Sequence, residues 1–216
     1  MTVRFVTAAC MAASIIILSG CNSEEPVQPL QAGDYMPLTP GTEWQYQRWV
    51  VTPDQNQPVS LDTAIIKITE ETAIDGKMYA VFTDRFGMTD KAVRVENSQY
   101  FGRDHEMYVG LTHEYMFLDT EKLPGDSWSY IKNDGATKTE YVVKAKGTSF
   151  DVLGTTYEDV IEMQVNYYSR VGDEYEKKFS AVHVYAKGVG EIYTYYPVSP
   201  DTFGELVAYL IPQKGQ

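Results

Sequence analysis

From Tyr35 onward the chain is a succession of short runs in which apolar and polar residues alternate. Successive side chains of a strand point to opposite faces, so a period of two predicts half-buried β-strands. Trp44, Tyr46, Arg48 and Val50 fall on one side of such a run. Ile161, Met163, Val165 and Tyr167 do so later, opposite the polar Glu162, Gln164 and Asn166. Phe179, Ala181, His183 and Tyr185 form a third case. In a last one, Leu206, Ala208 and Leu210 are backed by Val207, Tyr209 and Ile211. No window holds helical spacing over three turns.

Turn residues separate the runs. Asp75-Gly76, Asn133-Asp134-Gly135 and Gly172-Asp173 each lie between two alternating segments. Asx-Gly pairs suit hairpins because the favoured turn needs positive φ, which Gly and Asx residues tolerate. The expectation is a mainly β protein: an antiparallel meander of about ten to twelve strands, strongly curved into a half-barrel, a barrel or a sandwich, with little helix.

The meander repeats itself. Pro40-Gly41-Thr42-Glu43-Trp44-Gln45-Tyr46 and Pro124-Gly125-Asp126-Ser127-Trp128-Ser129-Tyr130 share a Pro-Gly-x-x-Trp-x-Tyr frame. Gly76 to Val81 has a looser counterpart in Gly154 to Val160. The frame reads as a turn entering a strand, with Trp and Tyr on one face as a core anchor. Trp44, Tyr46, Trp128 and Tyr130 are therefore expected as structural anchors of two similar halves, with both indoles buried on the concave side.

The first 20 residues follow another pattern. Arg4 precedes an apolar stretch from Phe5 to Leu18, interrupted by Thr7 and Ser14, which is short for a bilayer span and has the form of a signal peptide. Leu18-Ser19-Gly20-Cys21 resembles the lipobox of bacterial lipoproteins. That resemblance implies cleavage before Cys21, lipid on its sulfur and a palmitate-type membrane anchor. Asn22 in place of Asp favours the outer membrane, and Ser23-Glu24-Glu25 resembles an acidic tag for surface export. Residues 21–34 contain Pro26 and Pro29, lack hydrophobic periodicity and read as a lipidated tether. A single β-rich domain is expected over 35–216.

Further residues carry a resemblance. After the lipobox come Tyr35-x-Pro37-Leu38-x-x-Gly41-x-x-Trp44-x-Tyr46, the second Pro-Gly-x-x-Trp-x-Tyr frame, and Tyr185-Ala186-Lys187-Gly188-Val189-Gly190. Together they resemble a broad group of bacterial lipoproteins similar to the LolA-like and LppX-like half-barrel carriers. The resemblance implies a curved antiparallel sheet around an apolar cavity and brings no catalytic residue with it. The carrier fold also includes helices that plug the sheet, for which this chain has no helical spacing.

Composition narrows the function. The formal charge is −12, which argues against nucleic acid or an anionic membrane surface as partner. Of the two cysteines, Cys10 leaves with the export segment, so no disulfide and no cysteine metal site is expected. His105 and His113, beside Asp104, Glu106 and Glu114, lack the spacing of a metal motif, and His183 is distant in sequence. No Gly-x-Ser-x-Gly is present, and Lys187-Gly188-Val189-Gly190-Glu191 reads as a tight bend between strands. No metal, cofactor or enzymatic activity is expected.

The chain has 17 tyrosines, and Tyr193-Thr194-Tyr195-Tyr196 is the densest run. Alternation sends Tyr193 and Tyr195 to one face and Tyr196 to the other, and all three are candidate ligand contacts. The resulting expectation is a non-catalytic binding or assembly module of the cell envelope with a protein or glycan partner. The alternative is a carrier of an apolar, lipid-like ligand.

Overall fold

The structure, a computed structural model, describes Val27 and residues 29–51, 58–106, 110–111, 113–132, 135–197 and 201–210. Cys21, the export segment, Asn22 to Glu25, Asn133, Asp134 and Ile211 lie outside the described residues.

Those residues form thirteen strands and no helix: β1 (Glu43–Val51), β2 (Val59–Ile74), β3 (Lys77–Asp84), β4 (Thr89–Glu96), β5 (Gln99–Glu106), the two-residue β6 (Gly110–Leu111), β7 (Tyr115–Asp119), β8 (Ser127–Ile131), β9 (Thr137–Val152), β10 (Thr155–Val171), β11 (Glu174–Ala186), β12 (Gly190–Tyr196) and β13 (Asp201–Leu210). All pairings are antiparallel, and the expected meander is what forms. β1 to β5 pair in sequence, β6 and β7 both pair with β5, and β8 to β13 pair in sequence. β13 then pairs with β1, joining the two series into one strongly curved sheet.

The two halves are equivalent in their local geometry. In each Pro-Gly frame the third peptide bonds back to the residue before proline, Thr42 N–H to Thr39 O at 3.1 Å and Asp126 N–H to Leu123 O at 3.0 Å. Gly41 and Gly125 have φ of 89° and 98°, as the third position of a type II turn requires. Gly41 donates to the carbonyl of Ile68 on β2, and Gly125 donates to that of Val143 on β9, both at 2.8 Å. Two residues earlier, Ile66 and Tyr141 lie opposite Trp44 and Trp128. The hairpins at Asp75-Gly76 and Leu153-Gly154 have positive φ at both turn residues. They connect β2 to β3 and β9 to β10, so the looser sequence echo also has a structural meaning.

The two indoles are not equally buried, contrary to the expectation. Trp44 is 2% exposed, stacks on Phe82 at 5.5 Å between centroids and donates to Val189 O at 2.6 Å. Trp128 stacks on Tyr141 at 5.6 Å but remains half-buried. The cause is position in the sheet: β1 has neighbours on both sides, whereas β8 is an edge strand. Trp128 instead reaches over that edge, donating to Met116 O on β7 at 2.9 Å, while Tyr130 packs on Tyr115 at 5.4 Å. Side chains thus bridge the place where β7 and β8 leave the ring of strands open.

One end of the curved sheet is closed by an extended segment. Tyr35, Met36 and Leu38 are buried, and the Tyr100 hydroxyl accepts from the N–H groups of Tyr35 and Met36 at 2.8 and 3.1 Å. Contacts with the sheet begin before Tyr35. Leu30 packs on the core, Gln31 accepts from Asn97 N–H, and Asp34 O accepts from Gly188 N–H at 2.6 Å. These contacts satisfy backbone groups that a free tether would leave to water. The turns touched by this segment mark the closed end. Opposite lies the mouth, where β8, β10 and β12 end and β9 and β11 begin.

The outer face of β3 to β5 carries a buried ionic cluster. Arg94, with its side chain 5% exposed, holds Glu114 through Nε and Nη2, both at 2.7 Å, and Glu96 at 2.8 Å. Tyr79 also donates to Glu114, and Lys77 lies 3.2 Å away. A bidentate pair with further donors is the arrangement in which burying charge is tolerated.

Two outcomes are expected. Trp44→Ala should lower stability by about 3 to 5 kcal/mol and Trp128→Ala by less than half as much, read from urea unfolding; equal losses would contradict the edge argument. Burial alone would raise the Glu114 carboxyl, but the bonds from Arg94 and Tyr79 and the Arg94 charge bring it from 4.5 to about 2. A depressed folded value gives stability that is present above pH 4.5 and lost as pH falls toward 2, up to about 3 kcal/mol. Glu114→Gln should flatten the pH dependence of the urea midpoint in that window, and an unchanged slope would remove Glu114 as its source.

Candidate functional site

The inner face of the curved sheet forms a bowl floored by the closing segment. Ile161, Met163 and Val165 of β10 line its wall with Ala181, His183 and Tyr185 of β11, as their alternation predicts. Three adjoining cavities occupy it. The first, about 370 Å³, lies among Met36, Trp44, Tyr46, Ile66 and Phe82, with Leu61 on one side. The second, about 280 Å³, shares Asp90, Lys91, Glu191 and Tyr196 with the first. The third, about 400 Å³, opens by Tyr130, Lys132 and Phe179 and shares Asp104, Tyr115, Tyr141 and Tyr167 with the second.

Polar chemistry concentrates in the middle cavity. The β11–β12 hairpin brings His183 beside Glu191, with Nδ1 2.5 Å from Oε1. The Tyr196 hydroxyl lies 3.4 Å from the other ring nitrogen. A bulge at Asp90 turns both Asp90 and Lys91 to the bowl, and Lys91 pairs across the strands with Asp104. Asp104 accepts from Tyr115 Oη at 2.5 Å.

These carboxylates sit among phenols. Burial is the first cause raising Tyr46, Tyr115, Tyr141, Tyr167, Tyr185 and Tyr196 above the ordinary tyrosine value. The charge of Asp104 adds to it at Tyr115, Tyr141 and Tyr167, and that of Glu191 at Tyr46, Tyr167, Tyr185 and Tyr196. All six stay protonated as donors at neutral pH. Burial would raise Glu191 too, but the His183 charge and hydrogen bond hold it below the ordinary carboxylate value.

The candidate tyrosines divide. Tyr196 reaches the bowl and lines two cavities. Tyr193 and Tyr195 pair with Val184 and Val182 on the other face of β12, where the Tyr193 ring meets Phe150 at 5.3 Å between centroids. Of the three, Tyr196 is the one that lines the bowl, because alternation along the strand sends Tyr193 and Tyr195 to the other face. Of the anchors, Trp44 and Tyr46 line the first cavity as well as belonging to the core, and Tyr130 lines the third. Tyr46 is fixed by donating to Glu191 O at 2.9 Å.

Sequence reasoning passed over His183, Glu191, Asp90, Lys91 and Asp104. The signal for the first two was present: His183 shares a face with Tyr185, and the 187–190 bend folds Glu191 back against it. Among the described residues, no group of three His, Cys, Asp or Glu could hold a metal ion. His105 and His113 are exposed.

Because an ionised Glu191 can only accept, His183 should carry its neutral-state proton on Nδ1. Long-range proton–nitrogen spectra should show that tautomer, and Glu191→Gln should shift the population toward Nε2–H. A wild-type Nε2–H tautomer would contradict the pair's geometry.

No protein-family model matches the chain, and no curated protein is similar to it at a significant level. Two solved structures are similar in fold. One is a protein inferred to be exported, with a YmcC-like fold, from Bacteroides fragilis: TM-score 0.49, 10% identity, covering 83% of this chain and 100% of that one. The other is an inferred lipoprotein from Parabacteroides distasonis: TM-score 0.46, 14% identity, covering 83% and 100%.

Proposed function

We propose that this protein is a non-catalytic lipoprotein of the cell envelope, anchored through lipid on Cys21, which takes a protein or glycan partner into the bowl. The observation that carries this reading is the string of open cavities lined by aromatic and polar side chains. Aromatic walls with a few placed polar groups are the usual makeup of a recognition site. The phenols are held protonated as donors and the His183–Glu191 pair lies beside Tyr196 and Thr194, which supports recognition.

The anchor gives the bowl a direction. The chain enters at the closed end, and the nine residues from Cys21 to Pro29 reach about 30 Å at full stretch. β9 and β10 have 16 and 17 residues, each about 50 Å long. The tether is too short to bring the mouth round to its own bilayer, so the bowl opens away from it. Asn22 and the Ser23-Glu24-Glu25 tag support the outer membrane and its outer surface.

A second reading, a carrier of an apolar ligand as in the LolA-like and LppX-like proteins, is favoured by the first cavity, where Trp44, Ile66, Phe82 and Met36 meet. The charges of the middle cavity stand against it for a long acyl chain, which would have to lie across them.

Photo-crosslinking in intact cells tests the proposal. A crosslinker at Lys132, by the mouth, should trap an envelope component, and one at Leu153, at the closed end, should not. Protease or glycosidase sensitivity of the adduct then identifies the partner class. Cys21→Ser should leave the protein soluble or uncleaved. An adduct containing only lipid would favour the carrier, and a hydrolase or transferase activity lost on His183→Ala would overturn the reading.

A further inference from the structure

We infer that the middle of the bowl is a site for an organic ammonium group, either a free amine or one borne on a headgroup. The inference rests on the bowl being a binding site and names the chemistry it selects.

The cavity between Asp104 and Glu191 measures about 280 Å³ and is walled by Tyr115, Phe117, Tyr141, Tyr167, Tyr185 and Tyr196. Three carboxylates face it, those of Asp90, Asp104 and Glu191, against one lysine, Lys91, and His183. The balance is negative whichever charge His183 carries. Carboxylates in a cleft with low-dielectric walls focus their field into the space between them. Both charges add to burial in raising the wall tyrosines above their ordinary value, Asp104 at Tyr115, Tyr141 and Tyr167 and Glu191 at Tyr167, Tyr185 and Tyr196.

Aromatic faces and negative charge in one cavity are what binds alkylammonium ions, through the ring quadrupole and through Coulomb attraction. The protein already makes this contact internally. The Lys91 ammonium lies 5.4 Å from the Phe82 ring centroid, and its charge acts on Glu191. A bare metal ion is the poorer fit, because the carboxylates are spread over the wall and no group of three ligating residues converges among the described residues. A neutral sugar would leave the excess negative charge unanswered, and an anion would be repelled.

Calorimetric titration of the lipidated full chain in non-ionic detergent provides the test, with choline, n-butylammonium, glycerophosphocholine, the neutral carbon isostere of choline, and acetate as probes. The ammonium probes should saturate at millimolar concentration or below, and the neutral isostere should bind roughly tenfold or more weakly. Tighter binding of glycerophosphocholine than of choline would identify a headgroup as the source, and the reverse order a free amine. Asp104→Asn and Glu191→Gln, each checked by thermal melting, should weaken the ammonium probes by roughly tenfold and leave the neutral isostere unchanged. Tyr196→Phe, which keeps the ring, should retain binding.

The inference is overturned if no ammonium probe saturates, if the isostere or acetate binds as tightly, or if both carboxylate variants bind choline like the parent. The in-cell crosslinks report separately. Their persistence with failed ammonium binding would leave the bowl a recognition site for another ligand class, and their absence would remove that reading itself.

Discussion

The structure depends on the pairing of its first strand with its last. A sheet of this length has two edges whose unpaired N–H and C=O groups must be met by water or by another chain. Pairing β1 with β13 removes the two edges that the chain's two ends would otherwise present, from Glu43 with Leu210 to Val51 with Asp201. It also makes the inner face a single concave surface, because it brings β12, with Glu191 and Tyr196, within side-chain reach of Trp44 and Tyr46 on β1, one strand away across β13. Without this closure the Tyr46 hydroxyl would not reach Glu191, and the Trp44 indole would not reach Val189.

The repeat explains where the ring stays open. If the halves were perfectly equivalent, β7 would close on β8 as β13 closes on β1. The loop bearing Glu114 instead ties the stretch before β7 to the outer cluster around Arg94, where that carboxylate meets a buried guanidinium. Side chains then bridge the gap that backbone pairing leaves, through Trp128 to Met116 and Tyr115 to Tyr130. The same Pro-Gly-x-x-Trp-x-Tyr frame thus serves as a core anchor in one half and as a seam in the other.

Closing one end with an extended segment has a functional consequence. Three residues of that segment, Tyr35, Met36 and Leu38, supply the apolar floor of the bowl. Burying Asp104 and Glu191 near so many rings costs desolvation, which their bonds to Tyr115 and His183 offset in part. A core selected for stability alone would carry apolar residues there; the recognition role proposed above would give a reason to retain the charges.

By itself the sequence determined the local matter: strand character from the period of two, the hairpins from Asp75-Gly76 and Gly172-Asp173, the two equivalent frames, and the faces of His183, Tyr185, Tyr193 and Tyr196. Each follows from residues a few positions apart, whose conformations sterics and backbone geometry restrict directly. Only the tertiary structure decided the β1–β13 closure, the different burial of Trp44 and Trp128, the early docking of Leu30 to Asp34, and the meeting of Asp90, Asp104, His183 and Glu191 in one cavity. These depend on how far the sheet curls and which strand becomes an edge. Both are set by long-range packing of many side chains, and no local pattern encodes them.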